Sequence, residues 1–304
     1  MDRGGERDTV DAFIHDDIRE YFDEIKAIGR GEGSSSIIHR GIANARGAKL
    51  IIPGERHPST ERVLALKEVV VDDDASMDLL RSEVSRMRSV ALQRGVRYYG
   101  CFINDDTLHA WIVMRFVDAP NLHDIILSGR LARSQKNLIA KQLALAIIEC
   151  HSNGIVHRNI TPSNIMISNP TSKTADVVLV DFGLSCSVSK CPLPDSCRHI
   201  RGALDYADQR IVIGDTTALM QADWWSYGQT VAFMYTNRRL FEPNDDQYWG
   251  GEYRALASSD LAHIPTRLHA MLSRLTDPNS LPSERPNASE ILSSVITPRK
   301  SLLR

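Results

Sequence analysis

The sequence predicts an α+β chain in two lobes, β-rich in its first third and helical in the remainder, joined near residue 118. Three observations carry this prediction. A strand–turn–strand pattern runs from Tyr21 to Ile38, and Val63–Val71 alternates with the period of a strand. Beyond residue 121 the apolar residues recur at helical spacing instead. A short polar link, Asp118-Ala-Pro-Asn121, separates the two regimes.

Residues 1–20 are charge-dense and short of apolar side chains, which is compatible with a helix or with a flexible extension. The first lobe is placed at 21–118. It opens with Phe22-Asp-Glu-Ile25-Lys-Ala-Ile28, a Gly/Ser turn, and Ile37-Ile38. Residues 42–60 carry Gly47, Pro53, Gly54 and Pro58 and read as a long hairpin connection. A helix is expected over Met77–Val90, with apolar residues at 77, 79, 80, 84, 87 and 90. Strands follow at Tyr98–Phe102 and Leu108–Val117. The second lobe is placed at 119–297, before a tail at 298–304. Leu138–His151 is apolar on most faces and predicts a buried helix. Further helices are expected at Ala218–Tyr235, Ala255–Asp260, Thr266–Leu275 and Ser289–Val295, with an apolar strand at Asp176–Val180.

A formal net charge of −2 and an ordinary charged fraction give no electrostatic footprint for nucleic acid or a membrane surface. No apolar run reaches the length of a membrane span, and the polar N-terminus has no secretory core. The expectation is a soluble intracellular protein of cytoplasm or nucleus. Five scattered cysteines argue against a disulfide framework.

The chemistry-bearing residues lie in short motifs. Residues 157–164 read His-Arg-Asn-Ile-Thr-Pro-Ser-Asn, and Leu-Val-Asp-Phe-Gly-Leu follows at 179–184. The pair resembles the catalytic loop and the metal-binding loop of the eukaryotic protein kinases, in their Ser/Thr-directed form. Asp223-Trp-Trp-Ser-Tyr-Gly228 resembles the family's Asp-x-Trp-Ser-x-Gly helix, whose aspartate braces the catalytic loop. Ser283-Glu-Arg285-Pro is similar to its closing Arg-Pro segment. The resemblance covers about residues 21–296 and implies a bilobal protein kinase fold.

It also implies a set of site residues. Ile28-Gly-Arg-Gly31-Glu-Gly33-Ser-Ser-Ser36-Ile-Ile38 is similar to the glycine-rich loop over ATP, with Gly31, Gly33 and Ser36 at the turn positions and Ile38 covering adenine. Gly29 is the alternative first glycine. Glycine lets backbone N–H groups approach phosphates closely. Ala65-Leu-Lys67 sits where the family has Ala-x-Lys, so Lys67 would hold the α/β-phosphates and Glu83 would hold Lys67. Met114 falls at the gatekeeper, Arg115 carbonyl and Val117 N–H face adenine, and Met166 forms the pocket floor. Asn164 and Asp181 are hard oxygen donors of the kind Mg²⁺ takes alongside nucleotide phosphates. ATP and Mg²⁺ are therefore the expected cofactors.

The departures decide the functional expectation. The family's catalytic-loop aspartate is Asn159, and an amide is not a usable base near neutral pH. The lysine two positions on is Thr161, which brings no charge to a transferring phosphoryl. The glutamate that pairs with the arginine matching Arg285 is Arg210, so two arginines would face each other unless Asp208 or another acid intervenes. The expectation is a pseudokinase or strongly impaired Ser/Thr kinase that binds ATP and Mg²⁺ and serves a protein partner as allosteric partner or scaffold. The alternative is an active, low-turnover kinase transferring the γ-phosphate to protein hydroxyls, with an acid such as Asp205 as base. A third reading is a scaffold without nucleotide. Cys186, Cys191, Cys197 and His199 are a candidate zinc cluster, but without paired Cys-x-x-Cys spacing they read as unliganded loop cysteines. Ser185, Ser187, Ser189 and Ser196 in the same segment read as polar loop residues rather than phosphorylation sites.

Overall fold

A computed structural model of the chain describes residues 13–30, 36–51, 62–89, 92–170, 174–188, 205–208, 219–243 and 251–296. These fall into two compact units, one of residues 1–89 with 97–116 and the other of 90–96 with 117–304.

The first unit is a five-stranded antiparallel sheet with helices α1 (Ala45–Ile51) and α2 (Asp74–Ser89). Its strands are β1 (Phe22–Arg30), β2 (Ile37–Ala43), β3 (Val63–Val70), β4 (Tyr98–Asn104) and β5 (His109–Arg115), in the order β1-β2-β3-β5-β4. Alternation decides which side chains are inside. Leu64 and Leu66 point to one face and join Ile18, Tyr21, Phe22, Ala43, Phe102 and Val113 in a single core cluster. Burying each large apolar side chain contributes roughly 1.5–3 kcal/mol. Part of the segment read as an extension belongs to this core: Ile18 is buried, and Ile14 exchanges backbone hydrogen bonds with Cys101 and Ile103. The connection read at 42–60 contains α1, whose Gly47 sits where a Cβ would meet the Tyr21 carbonyl oxygen at 2.2 Å. Glycine there is set by close approach.

The second unit is mainly helical. It contains α3 (Leu122–Leu127), α4 (Arg133–Ser152), α5 (Leu219–Thr236), α6 (Ser258–Leu261), α7 (Thr266–Leu275) and α8 (Ala288–Val295). Three two-stranded ribbons accompany them: β6 (Ile155–Val156) with β9 (Cys186–Ser187), β7 (Ile165–Ser168) with β8 (Asp176–Leu179), and β10 (Phe241–Pro243) with β11 (Gly251–Tyr253). Helix α4 buries a stripe at 139, 140, 143, 144, 146, 147 and 150, the spacing of one broad helical face. It packs against α5, β8 and α8. Helix α5 is buried continuously from Ala222 to Tyr235, and its Tyr227 hydroxyl donates to the Ala140 carbonyl at 3.1 Å. Asn287 caps α8, accepting from Ser289 and Glu290 N–H while Glu290 returns a bond to the Asn287 N–H. Among the described residues, no helix is long and apolar enough to cross a membrane.

Candidate functional site

The first unit contributes a charged pair. Lys67 on β3 lies opposite Ile38 on β2 and Ile112 on β5, and Ala65 lies opposite Met114. Directly paired residues share a face, as do residues two apart on a strand. Ile38, Ala65, Lys67 and Met114 therefore stand together on one side of the sheet. Lys67 Nζ donates to Glu83 Oε1 at 2.9 Å, and each residue is 7% exposed. Leu80, Val84 and Met87 are the buried residues of α2 beside Glu83, so the apolar stripe that anchors this helix also turns the glutamate inward. Taking either charge from water alone is costly, and the pair offsets that cost by mutual attraction. Ser36 is buried just before β2, while Gly31 and Gly33 lie outside the described residues. Arg115 ends β5.

The second unit gathers three polar residues of two loops. The β7–β8 pairing sets Ile165 against Leu179, and the Val180 N–H donates to the Asn164 carbonyl at 3.0 Å. That ribbon brings Asn164 and Asp181, 17 residues apart in sequence, to its open end. Asn164 Nδ2 donates to the Asn159 carbonyl at 3.1 Å, which presents its Oδ1 as the remaining acceptor. Asn159 Nδ2 donates to Asp181 Oδ2 at 2.9 Å. A carboxylate and an amide oxygen form a hard-oxygen donor set that fits Mg²⁺. Thr161 is 2% exposed, and its hydroxyl has no hydrogen-bond partner among the described residues. Met166 is half-buried on β7, opposite Val178, and Val117 is the first residue of this unit's longer stretch, 117–304.

A buried carboxylate fixes the loop. Asp223 on α5 accepts from the backbone N–H of His157 at 2.8 Å and of Arg158 at 2.7 Å, and it meets His151 Nε2 at 2.8 Å. Arg158 takes φ +64°, a left-handed conformation that costs a non-glycine residue about 1–3 kcal/mol unless its surroundings impose it. The resemblance gave Asp223 this bracing place. Burial alone raises the Asp223 pKa, but the bond to His151 and the neighbouring imidazoles outweigh it and hold the carboxyl below its ordinary value.

His157 packs edge-on against Phe182, with ring centroids 4.7 Å apart. Burial holds its imidazole below the ordinary value of 6.5. The unfolded chain takes up that proton at a higher pH than the folded one, so His157 contributes full stability above about pH 6.5 and loses it as pH falls below. His157→Phe is expected to flatten the decline of Tm between about pH 6.5 and 5. An unchanged profile would exclude His157 as its source.

Further on, Arg285 finds its acid in Asp208. The two form a buried ion pair, and the guanidinium lies 4.8 Å from the Trp225 ring centroid. Arg210 lies outside the described residues, as do Cys191, Cys197, His199, Ser189 and Ser196. Asp205 is paired with Arg239. Ser185 is buried and donates to the Phe182 carbonyl at 2.6 Å. Cys186 is disulfide-bonded, where the cysteine count and scatter had argued against a disulfide framework. Among the described residues no group of three or more His, Cys, Asp or Glu side chains is arranged to hold a metal ion.

Residues 53–296 match the family model described as "Protein kinase domain". The match starts after the glycine-rich segment and the first two strands. Among curated relatives, the chain is 26% identical to "Serine/threonine-protein kinase sid1" of Schizosaccharomyces pombe over 64% of this chain and 44% of the relative. It is 25% identical to "Protein kinase kin1" of the same organism, over 83% of this chain and 28% of the relative. It is 26% identical to "Mitogen-activated protein kinase kinase kinase 2" of Arabidopsis thaliana, over 76% of this chain and 36% of the relative. The chain thus spans less than half the length of these relatives.

Proposed function

The chain belongs to the protein kinase domain family, and from that premise we propose that it binds ATP with Mg²⁺, has lost most of its phosphotransfer, and acts on a protein partner as an allosteric element or scaffold. In this reading Lys67, held by Glu83, takes the α/β-phosphates, while Asn164 and Asp181 take the cation. Bound Mg²⁺ would supply neutralisation of phosphate charge. The family resemblance would assign Ile38, Ala65, Met114 and Met166 to the adenine side, the Arg115 carbonyl and Val117 N–H to its edge, and Gly31, Gly33 and Ser36 to the phosphates.

One observation carries the impaired half of the proposal. The Asn159 amide is engaged as a donor to Asp181 Oδ2, so the position that needs a proton acceptor offers an N–H instead. The pairing of Asp205 with Arg239 further weighs against Asp205 as a substitute base. The rival reading, a slow Ser/Thr kinase, is favoured by the names of the relatives and by the intact Lys67–Glu83 pair, because phosphoryl transfer depends largely on positioning.

Nucleotide binding is tested by thermal shift. Millimolar Mg²⁺–ATP is expected to raise Tm by several degrees if it exceeds Kd by about a hundredfold, a stabilisation of roughly 2.7 kcal/mol. Lys67→Met is expected to lose most of that shift. A wild-type Tm indifferent to Mg²⁺–ATP would leave the scaffold without nucleotide.

A further inference from the structure

We propose that Asn159 is a positioning residue that holds Asp181 where a divalent cation otherwise would, so that this part of the site keeps its shape without metal. The inference rests on reading Asn164 and Asp181 as the cation's ligands.

Asp181 adopts φ +62°, a left-handed conformation that a non-glycine residue keeps only when its surroundings impose it. The surroundings are specific. Asn159 Nδ2 donates to Asp181 Oδ2 at 2.9 Å, the Gly183 N–H reaches Oδ1 at 3.4 Å, and the Val180 N–H is tied to the Asn164 carbonyl at 3.0 Å. The backbone that carries the Asn159 amide is itself held in place. Its residue is 7% exposed, its carbonyl accepts from Asn164 Nδ2 and from the Thr161 N–H, and its own N–H meets His157 Nδ1 at 3.3 Å. Through the Nδ2–Oδ2 bond the positive end of the side-chain amide dipole lies against the carboxylate.

An aspartate at 159 would reverse this. Two carboxylates at hydrogen-bonding distance cannot both stay ionised without a proton or cation between them. The asparagine removes that demand, and with it one of the two charges that would attract a cation. The loss of a base and the independence from metal thus follow from one substitution, through different atoms: the missing carboxylate oxygen for the first, the added NH₂ for the second.

The test uses the full chain without nucleotide, with Mn²⁺ as the probe, comparing wild type, Asn159→Asp and Asn159→Ala in EDTA and in a Mn²⁺ titration followed by Tm. The wild-type Tm is expected to move by no more than about 1 °C, while Asn159→Asp starts lower in EDTA and recovers by several degrees with Mn²⁺. Its apparent Mn²⁺ affinity is expected to be at least about tenfold tighter than wild type. Asn159→Ala, which removes the amide without adding charge, is expected to have a Tm below wild type in EDTA and a Mn²⁺ response between the other two. Equal Mn²⁺ responses in wild type and either variant would overturn the proposal. So would a wild-type response as large as that of Asn159→Asp. An ATP arm keeps the two readings apart: if ATP shifts no variant but Mn²⁺ separates them as expected, the clamp stands and nucleotide binding falls.

Discussion

Asp223→Ala is expected to destabilise the chain by about 3–5 kcal/mol, because it strips the partner from a buried, charge-assisted network. Asp223 has no exposed surface and serves three donors on two segments: the N–H groups of His157 and Arg158 and the ring of His151. Alanine would leave two backbone donors buried and unsatisfied, each costing roughly 1–3 kcal/mol. It would also release Arg158 from its left-handed conformation. Urea denaturation followed by circular dichroism reads the loss. Asp223→Asn, which keeps one acceptor oxygen, is expected to cost less. The carboxyl's depressed pKa adds a sign: its contribution is present above the ordinary value of 3.8 and is lost as pH falls through the lower folded value. A midpoint unchanged in Asp223→Ala would mean that the loop is held by something else.

Restoring the two absent groups together, Asn159→Asp with Thr161→Lys, is expected to raise phosphotransfer by about 10²–10⁴-fold. A positioned base alone accounts for a factor of that size, and a cation beside the transferring phosphoryl acts on the same transition state, so the gains do not multiply. The surroundings favour a working repair. Lys67 and Glu83 are already paired, and the β7–β8 ribbon already presents Asn164 and Asp181 together. The expected complication is steric. Thr161 is 2% exposed, and a lysine there must lead its long side chain out of a buried setting. Asn159→Asp alone is the companion variant, expected to gain most of the activity while becoming dependent on cation for stability. Radiolabel transfer to a generic Ser/Thr substrate measures both.

Much of this fold is legible in the sequence because its signals are local. Lys67 sits in an alternating strand and Glu83 in an amphipathic helix, and each periodicity announces its own element. Helices α4 and α5 are long and apolar, so their existence is plain even where α4 begins five residues before the expected Leu138. Helix α1 is hidden because seven residues give barely two turns and lie among glycines and prolines that dominate the local reading. The two-residue strands β6 and β9 have no periodicity to read; their pairing exists only once the chain has folded. At the site the residue types were visible and their contacts were not. The Asn159–Asp181 bond joins positions 22 apart, set by the register of β7 and β8. The sequence posed the question of which acid meets Arg285. Packing of that buried guanidinium over Trp225 and against Asp208 answers it.

In the proposed reading this chain keeps the groups that grip nucleotide and cation but has given up its proton acceptor. The most direct measurement is γ-phosphate label incorporation by purified wild-type protein with Mg²⁺–ATP and a generic Ser/Thr substrate, beside Asp181→Ala under the same conditions. Wild type within a few-fold of Asp181→Ala is the predicted result, since loss of the base already removes about 10²–10⁴ in rate. Wild-type incorporation a hundredfold or more above that variant, on the order of a working general base, would contradict it.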